Sequence, residues 1–268
     1  MKKRTLSALI AIFIVVAIVG YEFFLEESET SEIVDDGRLP KEETNTYLLP
    51  SSTTDEIVHH TYYSLSYHED YEQAEWVAYE LKREHLSNTD RKRPYFEIDR
   101  AVKTGAAHWR NYKSSGFDRG HLCPAGDRRF SLEAYNETFL TSNVSPQDHE
   151  FNSGIWNRLE QKARYWARKY DGIYVVTGGV LQPGLTRIGE ENVAVPKQFY
   201  KVLIDLNSGK PKMLAFLLPH EDSERPLYDF VVSVDSLETL TGIDFFPELE
   251  DSLEVQLEQS DDYKGWAF

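Results

Sequence analysis

The stretch GFDRGHLCPAGDRR, residues 116–129, crowds Asp118, Arg119, His121, Asp127, Arg128 and Arg129 around Gly120, Pro124 and Gly126. A histidine in a charged loop is ordinarily a solvated side chain. One that stands two residues after an arginine, just ahead of a Pro–Gly turn, is a candidate for proton transfer near neutral pH. Which of the two His121 is depends on what the rest of the chain brings to it. The lone cysteine, Cys123, follows two residues later. It excludes an intrachain disulfide and a cysteine-based zinc site. A Cys/His nucleophile is the weaker reading, since small buried cysteines are common.

The chain has 268 residues, 41% hydrophobic and 13% aromatic, which suits one large domain with appendages. No repeat is visible at periods of twenty to fifty residues. The net charge of −16 argues against a nucleic-acid partner only if it is evenly spread. It is not. From Arg91 to Arg129 ten Lys/Arg stand against four Asp/Glu, whereas Glu221 to Phe268 holds fourteen acidic residues and two basic ones. A basic central segment can present an anion site within an acidic protein.

At the N-terminus, Lys2, Lys3 and Arg4 precede an apolar run from Leu6 to Val19, with Glu22, Glu26, Glu27 and Glu29 beyond it. That pattern reads as a membrane-targeting helix over residues 1–25, outside the fold. No small-x-small cleavage site follows Val16, which favours a retained anchor with the catalytic domain outside the cytoplasm, periplasmic or extracellular. Secretion after signal cleavage is the alternative. Residues 26–55 read as an acidic linker and 56–268 as the folded domain.

Within that domain, HHTYYSLSYHED and AEWVAYEL alternate as strands. In the second, Trp76 and Ala78 should face away from Val77, Tyr79 and Leu81. A short strand is expected in ETFLTSNVSPQ. IWNRLEQKARYWARKY places Ile155, Leu159, Ala163, Trp166 and Tyr170 at helical spacing. GIYVVTGGVL, QFYKVLIDL and KMLAFLLP follow as strands, the last two joined at NSGKP. Strands on both sides of a central helix give an α+β class with a mostly antiparallel sheet. The acidic segment after His220 has no assigned place.

Hydrolysis of a phosphodiester needs a base for water and neutralisation of charge on the phosphoryl oxygens. Neutral imidazole supplies the first. Arginines and a hard cation with oxygen ligands supply the second. His121, Arg119 and Asn152, whose amide oxygen can hold a hydrated metal, make such a set. Glu160 and Arg164 are four apart and share a helix face, which alone would be an ordinary surface ion pair.

Together DRGHLCPAGDRR, LTSNVSPQ, FNSGIWNRLE, YVVTGGV and VPKQFYKVLID, in this order, resemble the DNA/RNA non-specific endonucleases, the Serratia-type and endonuclease G-like nucleases. Their active site is a ββα-metal motif. The resemblance spans roughly residues 57–220. It implies His121 as general base, Arg119 on the scissile phosphate and Asn152 as the single protein ligand of Mg²⁺ or Mn²⁺. It also implies Glu160 on a metal-bound water, Arg164 on the developing phosphorane charge, and Asn143 orienting the histidine region. An upstream arginine belongs to the set; Arg93 is the candidate, with Arg91 and Arg100 nearby. DNA and RNA are the implied substrates. The oligomeric state is open, with a homodimer among the alternatives. A silent nucleic-acid-binding module on the same fold and a phosphodiesterase acting on small or lipid diesters are the competing functions. In one continuous helix Glu160 would lie about 12 Å from Asn152 along the axis, too far to serve one hydrated ion. Asn152 is therefore expected at or before the helix start, with Ser153 capping and Gly154 breaking the regularity.

Overall fold

The computed structural model describes residues 46–268. The segment expected to target a membrane, and the linker up to residue 45, lie outside the described residues. Among those described, no helix is long and apolar enough to cross a membrane. The linker was expected to run to residue 55, but its last part is packed. Leu48 and Leu49 are buried, Ser51 O accepts from Trp76 Nε1 at 2.8 Å, and Thr53 N–H donates to Glu75 at 2.9 Å. An apolar doublet in a polar segment shows no period, so its docking is invisible in the sequence.

The aromatic-rich segment after Ile57 makes two strands, not one. β1 (Ile57–His59) turns back at residues 60–63 into β2 (Ser64–His68). β3 (Gln73–Leu81) follows, and after a long irregular stretch come β4 (Asp118–His121), α1 (Leu132–Glu137) and β5 (Val144–Gln147). Next are a helical turn, α2 (His149–Phe151), a π turn (Asn152–Trp156) and α3 (Asn157–Tyr170). The remaining strands are β6 (Ile173–Gly179), β7 (Thr186–Ile188), β8 (Val193–Val195), β9 (Gln198–Asp205), β10 (Lys212–Pro219) and β11 (Val231–Val232). The chain closes with α4 (Val234–Thr241) and α5 (Asp251–Glu258). Seven strands form one antiparallel sheet in the order β1-β2-β3-β6-β9-β10-β11, and β4 pairs with β5 apart from it.

Both faces of this sheet are covered. Val77, Tyr79 and Leu81 share a core with Leu159, Ala163 and Trp166 of α3. Trp76 and Ala78 face the other way, into a core built with Val234, Leu237, Phe245, Phe246 and Leu257. The alternation read from β3 holds, and so does the apolar stripe of α3. The acidic C-terminal segment is the second layer. Its acidic residues lie between apolar positions spaced three and four apart, Val234 with Leu237 and Leu253 with Leu257. The chain end then returns to α3, where Trp166 Nε1 donates to Ala267 O at 2.9 Å and the Trp166 and Trp266 rings meet edge to face at 5.0 Å.

Asn152 stands before α3, as the first residue of the π turn, but within a helical run that begins at His149, and Ser153 is not the cap of that run. Asp148 caps instead, accepting from the N–H groups of Glu150 and Phe151 at 2.9 and 3.2 Å. Ser153 donates its hydroxyl back to His149 O at 2.8 Å and caps nothing. Gly154 does break the helix, with φ −93° and ψ −109°. The N–H freed beyond it, on Ile155, donates to Asp222 Oδ1 at 2.9 Å. A Cβ on Gly154 would fall 2.0 Å from that oxygen. Gly154→Ala should therefore displace Asp222 and strand the Ile155 N–H, costing about 1–3 kcal/mol. Urea unfolding measures it, and a stability equal to wild type would show that the kink does not need the glycine.

Candidate active site

β4 carries Arg119 and His121 on one side of the strand, as residues two apart must be. Gly120 between them pairs with Ser145 and leaves no room for a side chain, since its Cβ would meet Gln147 at 2.1 Å. Under His121 lie two aromatic rings, Phe139 at 5.1 Å and Phe96 at 5.6 Å. Arg119 lies over Phe96 at 4.8 Å, and Arg93 over both rings at 5.6 Å. This aromatic floor fixes the two guanidinium planes beside the imidazole.

His121 Nε2 is shielded from solvent and has no hydrogen-bond partner among the described residues. Burial, with the positive charges of Arg93 and Arg119, pushes the imidazole down to about 4. It is neutral across the physiological range, with a lone pair available. Asn143 secures this position two residues along the chain. It is fully buried, accepts from Cys123 N–H at 2.8 Å and donates to Cys123 O and Thr138 O, each at 2.9 Å. Cys123 itself is buried, and burial raises its thiol to about 12, so it is no nucleophile.

These groups border an open cleft of about 740 Å³ whose wall includes Arg93, Lys113, Arg119, His121, Arg129, His149 and Asn152. Asn152 donates from Nδ2 to Asp118 at 3.0 Å, and His149 Nδ1 reaches the same carboxylate oxygen at 2.9 Å. Burial opposes ionisation of Asp118, yet these two hydrogen bonds hold its carboxyl below the usual range. Arg93 is the upstream arginine in the cleft. Arg91 is tied elsewhere, to the carbonyls of Arg129 and Phe130 at 2.9 and 3.2 Å, and Arg100 is not in the wall. Trp109, Lys113 and His149 were not singled out from the sequence. Trp109 and Lys113 fall in a stretch without periodicity, so nothing there marked them.

Glu160 and Arg164 are not in the cleft wall. Arg164 is held by Asp127, Nε to Oδ1 at 2.5 Å, and by Glu160 at 3.2 Å, with side-chain exposures of 17% for Arg164 and 13% for Glu160. This is not a surface ion pair either. Tyr79 OH donates to the same Asp127 at 3.2 Å, and Gly126 admits the guanidinium over its turn. Burial pushes Glu160 up to about 7 against the positive charges of Arg164 and Lys201. Lys201 is fully buried over the Trp156 ring at 4.6 Å, and burial lowers it to about 8. It reads in sequence as one more strand residue, and only the packing reveals a buried ammonium.

β4, β5 and the helical run after Asp148 thus bring a histidine and an asparagine together beside arginines on an aromatic floor. Residues 41–252 match the family described as DNA/RNA non-specific endonuclease, and the chain belongs to that family. It is 37% identical over 213 residues to the mitochondrial nuclease EXOG of Danio rerio, covering 71% of this chain and 61% of the relative. It is 35% identical to the mitochondrial endonuclease G of Homo sapiens, covering 65% and 64%. A crystal structure of the EndoG/EndoGI complex superposes with a TM-score of 0.70 at 30% identity, over 74% of this chain and 89% of that one. The chain spans about three fifths of the length of the first curated relatives it matches. Placement outside the cytoplasm, anchored or secreted, is corrected by these relatives. EXOG and endonuclease G bear a mitochondrial designation, not a periplasmic or extracellular one. A basic flank before an apolar run reports that a segment meets a membrane, not which membrane.

Asn143→Ala would leave Cys123 N–H and two carbonyls without their buried partner. A loss of about 3 kcal/mol is expected in denaturant unfolding, and a loss under 1 kcal/mol would show that the clamp is dispensable. His121 adds a pH signature. Its folded value, about 4, lies below the ordinary value of 6.5, so between them the unfolded chain binds the extra proton. Stability from this group is complete above pH 6.5 and is lost as pH falls toward 4. The Tm of wild type should therefore drop more steeply over that window than that of His121→Asn. Parallel Tm–pH curves would show that His121 is not held neutral.

Proposed function

We propose that the chain is a metal-dependent endonuclease that hydrolyses phosphodiester bonds of both DNA and RNA. The observation that carries this reading is the shielded, unpartnered Nε2 of a neutral His121 at the wall of a basic cleft. Nε2 takes the proton of a water as its oxygen attacks phosphorus, the opposite P–O bond breaks, and the departing oxygen takes a proton from solvent water. Arg119 and Arg93, held over Phe96, bind the phosphoryl oxygens and oppose the charge that grows there. Such contacts address the phosphate and not the base or sugar, which fits a substrate range covering both nucleic acids.

The donors present suit a hard cation. Asn152 gives its N–H to Asp118 and keeps Oδ1 as an oxygen ligand, while Asp118 stays ionised beside it. Mg²⁺ or Mn²⁺ held by Asn152 would supply charge neutralisation at the phosphate. The family resemblance gives Glu160 and Arg164 direct roles on a metal-bound water and on the phosphorane charge. The pairing of Arg164 with both Asp127 and Glu160 supports a positioning role, in which Arg164 fixes the turn that follows His121. Asn143 positions the same strand end from the other side.

His121→Ala should lower plasmid nicking and RNA cleavage by at least about 10²–10⁴-fold while far-UV CD is unchanged. Wild-type turnover in that variant would remove the mechanism. Asn152→Ala should raise the Mg²⁺ concentration for half-maximal nicking, and overlaid titrations would exclude it as the ligand.

A further inference from the structure

Residues 234–258 contain eight Asp/Glu and no Lys, Arg or His. Asp235 and Glu238 are three apart in α4 and so lie on one side of it, and Glu258 ends α5. One carboxylate oxygen from each of the three comes within 4.8 Å of the others. An acidic cluster alone is no site, because exposed carboxylates repel one another into solvent. Glu258 is different. It is 6% exposed, and its Oε1 is shielded from solvent with no hydrogen-bond partner among the described residues. A buried carboxylate oxygen without a donor is costly unless a cation reaches it. Its place in the last turn of α5 adds to the cost, since a helix C-terminus favours positive charge.

We propose that Asp235, Glu238 and Glu258 form a structural site for a hard divalent cation of the calcium class, which ties α4 to α5 on the sheet face opposite α3. The donors are all oxygen, and residues 221–268 hold no His or Cys, which disfavours zinc and copper. Calcium accepts six to eight oxygens at about 2.3–2.6 Å in irregular geometry, so one ion can join carboxylates about 5 Å apart on two helices. Magnesium demands a near-ideal octahedron and sheds water reluctantly. Glu238 already links the two helices' connection, its Oε1 accepting from Phe245 N–H at 2.9 Å, so an ion there would lock the layer that covers the second core.

Thermal unfolding of the full chain, first stripped with chelator and then titrated with CaCl₂ or MgCl₂, tests this. At a hundredfold excess over Kd, calcium should raise Tm by roughly 5–10 °C, and magnesium by clearly less. The Asn152→Ala variant separates this site from the cleft and should keep the full rise. Glu258→Gln should lose it. Should that buried variant fail to fold, Asp235→Asn/Glu238→Gln, at more exposed positions, should lose it instead. A rise that disappears in Asn152→Ala and persists in the tail variants would place the ion in the cleft and overturn the proposal. So would the absence of any calcium-dependent rise, or an equal rise with magnesium.

Discussion

Asp127 is 1% exposed, and its carboxylate accepts from both Arg164 on α3 and Tyr79 on β3. One buried charge therefore joins the turn after β4, the helix and the sheet. Two opposite charges away from water hold together only when their remaining hydrogen-bonding capacity is also met. Tyr79 and Glu160 meet it here. Remove the link and the turn after His121 loses its tie to α3, and Tyr79 on β3 loses its acceptor.

A second joint lies at the other end of the same turn. Arg128 is fully buried, donating to the carbonyls of Tyr62 and Glu80, each at 3.0 Å, with its guanidinium over the Tyr79 ring at 4.7 Å. Asp127 and Arg128 are thus neighbours with different structural tasks. Arg129, next in line, faces the cleft. Three consecutive charged residues, alike in a sequence profile, are divided between an ion pair, a carbonyl clamp and a basic wall by the turn that separates them.

Overall charge is a poor guide to this surface. The chain carries −16, yet Arg93, Lys113, Arg119 and Arg129 border the cleft. Charges separated by more than a Debye length, about 8 Å at physiological salt, are largely screened across solvent. The acidic helices α4 and α5 lie on the far face of the sheet, so their charge is not felt where an anionic chain would dock. Acidity there has a local physical consequence instead, a buried carboxylate oxygen without a partner.

The sequence by itself determined whatever depends on neighbours along the chain. The alternation of Trp76, Val77, Ala78 and Tyr79, the stripe from Ile155 to Trp166, the break at Gly154 and the cluster around His121 were all legible, because strand and helix periods are local geometry. Residue chemistry singled out His121, Arg119 and Asn152 as candidates, and the family resemblance added Asn143. Tertiary structure decided the rest. Arg93 prevailed over Arg91 because a phenylalanine floor brought from residues 96 and 139 receives its guanidinium. Arg164 turned inward because Asp127, thirty-seven residues earlier, reaches it first. The acidic tail became a structural layer because its few apolar residues meet a sheet face formed far upstream. In each case the energy depends on burial and on the distance between charges, and both are set only when segments remote in sequence pack together.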